Sequence, residues 1–151
     1  MFTTIVVGTD GSDSAAVAVR QAAELAKAAG GTVHIVHAYQ PINMGTVAMS
    51  AGTGGSTIDV ESVNASITRH AETVCDHAIA IAQAEGVTYE THSAAGDPCD
   101  ALISVAEQVH ADLLVVGNRG MTGMKRFVLG SVPNKISHHA PCSVLIVDTG
   151  A

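Results

Sequence analysis

Five short apolar segments alternate along this chain with longer segments that carry helix signals, and this alternation constrains the fold most. The apolar segments have the length of buried strands, and the segments between them are long enough for helices. They are Thr4–Gly8, Thr32–Tyr39, Val87–Ser93, Leu113–Val116 and Ser143–Val147. Strands that alternate with helices are typical of α/β domains. The sequence therefore predicts an open five-stranded parallel sheet with helices on both faces.

Capping residues and glycines indicate where two long helices begin and end. Ser12 or Asp13 can cap an alanine-rich first helix, and Gly30 stops it. From about Val60, apolar residues recur near helical spacing, which predicts a second helix that ends at Gly86.

Two shorter helices are expected in the second half of the chain. One opens at Gly96-Asp97-Pro98, where Asp97 is the expected cap, and runs to about His110. The other covers Val132–His139, with Ser131 as its cap and a proline tolerated in its first turn.

Length and composition limit the classes of function. The 151 residues predict a single domain, residues 1–151, with a core of small aliphatic side chains, since 47% are apolar and only 3% aromatic. No apolar run approaches the roughly 20 residues of a membrane span, and the N-terminus lacks the charged region of a signal peptide. A cytoplasmic protein is expected. Its formal charge of −7 argues against nucleic acid as a main partner.

Residues 42–58 form an uncharged segment rich in glycine, serine, threonine and alanine. It is too long for a plain connector between a strand and a helix, which predicts a flexible loop, either a mobile lid or a disordered insert.

The stretch from Asp112 to Lys135 carries the clearest functional signal. Its apolar strand breaks at Gly117, and further glycines follow before a helix opens at Ser131. Glycines before a helix N-terminus leave N–H groups that can bind an anion, which predicts a phosphate-binding loop. Four of the seven basic residues also lie here: Arg119, Lys125, Arg126 and Lys135. From spacing alone, a solvated loop with tight turns is the alternative.

The same glycines occur in the pattern of a known family. Gly117-Asn118-Arg119-Gly120, nine residues and Gly130-Ser131 resemble the G-x-x-G-x9-G-S/T motif of the nucleotide-binding branch of the universal stress protein family. Ile5–Ser12 and Pro141–Val147 are similar to that family's opening and closing segments. The resemblance covers essentially the whole chain. It implies a Rossmann-like, adenine nucleotide alpha hydrolase-like fold, and with the handedness of crossovers it suggests strand order 3-2-1-4-5.

The resemblance also implies a role for each candidate residue. Asp10 would bind the ribose hydroxyls, although an Asp-Gly pair also serves plain turns. The backbone of Ala38 would read the adenine edge, and Gly117 would lie near the ribose. Arg119 would bind a phosphate or remain solvated. The N–H groups expected at the phosphates, and the further residues expected to line the site, are those of Gly120, Gly130, Ser131 and Val132, with Thr9, Val116 and Asn118.

The expected topology places this site independently of the motif. Ligands of such sheets bind at the carboxyl ends of the strands where the winding reverses, here between the first and fourth strands. Asp10 and Gly117 follow or end these two strands, so the carboxylate and the glycine loop should face one crevice.

A dimeric regulator that binds ATP, read by an unidentified protein partner, is the expected function. Magnesium could bind through the phosphates, and AMP or cyclic AMP are alternatives, since some relatives bind them. No residue suggests itself as catalytic, so hydrolysis would be slow at most. An interaction module with an empty crevice is a further alternative.

The last predicted strand, Ser143–Val147, is apolar on both faces although it should lie at a sheet edge. Such edges are normally protected, and antiparallel pairing with a second copy would protect both. Similar family members dimerise in this way, which implies a homodimer. Cover by the chain's own Asp148–Ala151 is the alternative.

The histidines predict no metal site. His70 and His77 are seven residues apart on one helix, about 10 Å along its axis, and cannot share one ion. His34 and His37 should point to opposite faces of a strand. Surface or capping roles are therefore expected for the histidines. The cysteines form no C-x-x-C pair, which argues against a disulfide framework or zinc site.

Overall fold

The computed structural model describes residues 1–42, 59–119 and 129–150. The loop predicted over residues 42–58 therefore lies, apart from Ile42, outside the described residues, and so does Gly120.

One parallel sheet in the described residues contains five strands, in the order β3-β2-β1-β4-β5. This result confirms the predicted sheet, its fold class and its strand order. Since β1 pairs with both β2 and β4, the winding reverses beside it. The strands are β1 (Thr4–Gly8), β2 (Thr32–Tyr39), β3 (Thr88–Ala95), β4 (Leu113–Gly117) and β5 (Ser143–Val147).

The described helices are α1 (Asp13–Ala29), α2 (Val60–Glu85), α3 (Pro98–Gln108) and α4 (Ser131–His139). Ser12 caps α1 by accepting a hydrogen bond from the N–H of Ala15 at 3.1 Å. Asp97 caps α3, as predicted. The capping role predicted for Ser131 is wrong, because Gly130 is the N-cap of α4 and Ser131 is already its first helical residue.

The helices cover both faces of the sheet. On one face, α1 packs through small residues such as Ala18, Ala22 and Ala26, which are fully buried. On the other face, Leu102 of α3 and Ile136 of α4 join a second apolar cluster. Among the described residues, no helix is long and apolar enough to cross a membrane.

The expectation of surface or capping histidines is wrong for two residues of β2. His34 and His37 are only 7% and 8% exposed. Both are buried because β2 is an inner strand with a neighbour on each side and helices on both faces. The Nδ1–H of His37 donates to the carbonyl oxygen of Thr9 at 2.9 Å.

Candidate functional site

A cavity of about 210 Å³ opens at the carboxyl ends of β1 and β4, where the winding reverses. Asn118 does not line it, and Gly120 lies outside the described residues. Nine of the predicted site residues line this crevice: Thr9, Asp10, Ala38, Val116, Gly117, Arg119, Gly130, Ser131 and Val132.

The turn after β1 fixes the carboxylate of Asp10 at the crevice. One oxygen of this carboxylate, Oδ1, accepts a hydrogen bond from the N–H of Ser12 at 2.9 Å. The preceding carbonyl of Thr9 is held by His37. Gly11 has a φ of +80°, which residues other than glycine rarely adopt. This conformation lets the chain turn directly into α1. Asp10 is thus positioned by the hydrogen bond from Ser12 and by the one that His37 makes to the neighbouring Thr9.

Ala38 presents its backbone to the crevice. The carbonyl of Val36 accepts a hydrogen bond from the N–H of Thr9 at 2.9 Å, so it points toward β1. Backbone groups two residues apart in a strand point to the same side, and β1 ends at Gly8, before it could pair with Ala38. The polar groups of Ala38 therefore face the space beyond the end of β1.

The N-terminus of α4 forms the opposite wall. The N–H of Gly130 was expected at a phosphate, but it donates to the carbonyl oxygen of Asn118 at 3.2 Å, which closes the turn before the helix. The N–H groups of Ser131 and Val132 make no hydrogen bond within the described residues. These two donors, at the positive end of the helix dipole, are suited to an anion.

The side chain of Asn118 joins the ends of β4 and β5. Its Oδ1 accepts hydrogen bonds from the N–H and the hydroxyl of Thr149, at 3.2 and 2.8 Å. Its Nδ2 donates to Asp148 at 3.1 Å. Asn118 thus fixes the position of the chain that leads from β4 into the glycine loop.

Lys135, one of the four cations of the predicted basic patch, does not line the crevice. Arg119 lines the crevice, but the Nζ of Lys135 lies 3.3 Å from Asp97 and 3.1 Å from Asp100, on α3. These hydrogen bonds raise the pKa of Lys135, Asp100 contributing most. The pKa of Asp97 is lowered, first by the N–H of Asp100 and also by Lys135. Two further cations lie outside the described residues: Lys125 and Arg126.

Apolar residues that the motif did not indicate complete the crevice. They include Ala15, Val36, Pro98, Leu102 and Pro133. Strand alternation could have indicated one of them, since Val36 and Ala38 are two residues apart and share a face. Few polar groups in an apolar crevice are typical of small-molecule sites. The arrangement suits a ligand with a flat apolar ring, hydroxyl groups and an anionic end.

Comparison with known proteins gives a consistent result over the length of the chain. The model of the Universal stress protein family matches residues 1–148. Universal stress protein Rv1636 of Mycobacterium tuberculosis is 37% identical over 149 residues, which cover 98% of this chain and 97% of that protein.

Two solved structures with a bound nucleotide are similar to this chain. A universal stress protein in complex with cAMP is 35% identical, with a TM-score of 0.73 and 99% of each chain covered. The universal stress protein from Archaeoglobus fulgidus in complex with dAMP is 28% identical, with a TM-score of 0.66, and the match covers 97% of this chain and 98% of that one.

Proposed function

Because this chain belongs to the universal stress protein family, we propose that its crevice between β1 and β4 binds an adenine nucleotide. One observation carries the proposal: the carboxylate of Asp10 and the N–H groups at the start of α4 line the same apolar cavity. The relatives solved with cAMP and with dAMP support this class of ligand.

Each part of the nucleotide has a matching group in the crevice. The carboxylate of Asp10 accepts hydrogen bonds from the ribose hydroxyls. The backbone of Ala38 recognises the edge of the adenine ring, which packs against the apolar wall. The phosphate binds the N–H groups of Ser131 and Val132, with Arg119 as the nearby cation.

ATP is the nucleotide that we propose within this class. The motif continues from Arg119 to two further cations, Lys125 and Arg126, which suit the outer phosphates. Mg²⁺ would bind through these phosphates. The protein would act as a regulator read by a protein partner, with slow hydrolysis at most.

The regulator is proposed to be a cytoplasmic homodimer joined through β5. Val144, Leu145 and Ile146 of this outer strand are apolar and only partly buried, so a second copy would remove them from water. The three cysteines are free thiols, as is usual in the reducing cytoplasm.

Gly130→Asp tests the proposal, because it places a carboxylate where the phosphate would bind. The backbone of Gly130 has a φ of −58°, and an added Cβ would approach other atoms of the described residues no closer than 3.4 Å, so the fold should tolerate the change. Asp can also cap α4, which should stabilise the protein by a few tenths of a kcal/mol. We expect binding of ATP and AMP to weaken about tenfold or more, since like charges about 4 Å apart repel by roughly 1–4 kcal/mol.

The measurement is calorimetric titration of nucleotide-free protein with ATP, AMP, cyclic AMP and GTP. Ser137→Asp adds the same charge near the other end of α4 and should leave binding unchanged. Failure of all three adenine nucleotides to bind the unaltered protein, or equal binding to Gly130→Asp, would contradict the proposal. The order of the three affinities decides whether ATP is preferred.

A further inference from the structure

Three ligand-type side chains from two adjacent strands meet on one face of the sheet. His34 of β2 lies opposite Glu90 of β3 in the strand register, and His92 is two residues further along β3. Residues in these positions share a face. The Nδ1 of His34 lies 3.1 Å from the Nε2 of His92 and 3.6 Å from Oε2 of Glu90. One ligand atom from each residue lies within 4.8 Å of the other two.

These separations match those of ligands around one ion. Two ligands that are each about 2.1 Å from a tetrahedral zinc ion are about 3.4 Å apart. The distances of 3.1 and 3.6 Å from the Nδ1 of His34 lie on either side of this value. The side chain of Glu90 is 63% exposed and is therefore free to complete the geometry by a change of rotamer.

We propose that His34, Glu90 and His92 bind a divalent transition-metal ion, with Zn²⁺ as the best-fitting ion. Two imidazoles and one carboxylate form a ligand set that zinc uses in other proteins, with a fourth position open to water. The exposed carboxylate gives the ion a path from solvent to the buried imidazole of His34.

The lowered pKa of His34 is consistent with a metal ligand. Burial lowers the pKa of His34 and outweighs the opposing effect of Glu90, while His92 lowers it further. A lower pKa favours the neutral imidazole, which is the form that binds a metal. Without a metal, the short contact between the two imidazoles requires one N–H between the nitrogens. A metal ion takes the place of this proton, which moves to the other nitrogen of the same ring, so that binding to the two neutral imidazoles releases no proton.

The site is separate from the nucleotide crevice. His34 precedes Ala38 by four residues on β2, about 13 Å along the strand. An ion at His34 would join the outer strand β3 to its neighbour β2. Because the folded protein alone presents this cluster, binding should raise the melting temperature.

The test is titration of the metal-free full chain, without a polyhistidine tag or nucleotide, with Zn²⁺ against a chromophoric chelator. We expect one equivalent to bind, with a rise in melting temperature. His92→Ala should weaken binding by about 100-fold or more, beyond the usual effect of losing a residue that only positions a ligand. Glu90→Gln changes a mostly exposed side chain and should also weaken Zn²⁺ binding. It provides the test if His92→Ala fails to fold.

The double variant His138→Ala/His139→Ala is the matched control, because it removes two exposed histidines on α4. It should bind Zn²⁺ as the unaltered protein does, and His92→Ala should still bind AMP. Absence of a bound equivalent in the unaltered chain would overturn the proposal. So would an equivalent that survives both His92→Ala and Glu90→Gln, or that is lost in the control.

Discussion

The carboxylates of Asp112, just before β4, and of Asp10, just after β1, differ in how many hydrogen bonds they accept. Asp112, just before β4, accepts hydrogen bonds from the N–H groups of Thr3 and Thr4 and from the Thr3 hydroxyl, at 2.9 to 3.0 Å. Among the described residues, Asp10 accepts a hydrogen bond only from Ser12. The carboxylate of Asp112 thus stabilises the fold, whereas that of Asp10 can still accept hydrogen bonds from a ligand.

Asp10→Ala should therefore affect ligands according to their ribose. Hydrogen bonds to a charged group are worth about 1.5–3 kcal/mol, so ATP affinity should fall by roughly ten- to a hundredfold. The affinity of 2′,3′-dideoxy-ATP should change little, because it lacks both hydroxyls. Calorimetry measures both, with Asp13→Ala, an exposed acid in the first turn of α1, as the control. Equal losses for the two ligands would contradict the ribose role.

Asp112→Asn should make stability less dependent on pH. The N–H groups of Thr3 and Thr4 lower the pKa of Asp112 below its usual value of 3.8. A lowered carboxyl pKa gives stabilisation that is full above the usual value and is lost as pH falls through the lowered one. The variant should melt at a lower temperature at pH 7, and this difference should narrow below about pH 4. A difference that stays constant from pH 7 to pH 2.5 would show that the charge is unimportant.

At the scale of single residues, the crevice residues can be predicted from the sequence, but the contacts that their neighbours make cannot. Asp10 and Gly117 follow from strand ends and topology, which local patterns reveal, whereas Ala38 follows only from the family resemblance. The pairing of Lys135 with Asp97 spans 38 residues, and that of His34 with His92 spans 58. Such contacts depend on strand register and helix placement, which no spacing rule along the chain supplies.

Elements were predicted most accurately where a local signal ends them. The ranges predicted for β1, β2 and β5 agree with the structure. The third strand was predicted over Val87–Ser93 but spans Thr88–Ala95. It continues because β2 extends as far as Tyr39, which pairs with Ala95. The length of an edge strand is set by its neighbour, which its own sequence does not show.

Val144→Lys on β5 tests the proposed dimer at the scale of one element. A charge on an outer strand opposes pairing between copies, so the variant should be monomeric. Thr91→Lys places the same charge on the other outer strand, β3, where the side chain is exposed, and should leave the mass unchanged. Light scattering after size exclusion measures both masses, with circular dichroism to check folding. A dimeric Val144→Lys variant would exclude β5 as the interface.

The two apolar clusters share the strands of one sheet, so we predict that the whole molecule unfolds as a unit. Ile5 and Val7 of β1 contribute to one cluster, and Val6 between them contributes to the other. Urea transitions followed by far-ultraviolet circular dichroism and by tyrosine absorbance should coincide. Saturating nucleotide should shift both transitions equally. Separate midpoints would show that residues 1–151 are not a single cooperative domain.

The polar outer strand β3 limits how many copies of this protein can associate. Four of its exposed residues are polar and offer no apolar side chain to another copy: Thr88, Glu90, Thr91 and Ser93. If two copies pair through β5 as proposed, both flanks of the joined sheet are β3 strands, whose mostly polar exposed side chains disfavour further addition. Growth should therefore stop at the pair, so that concentrated protein does not extend into fibres.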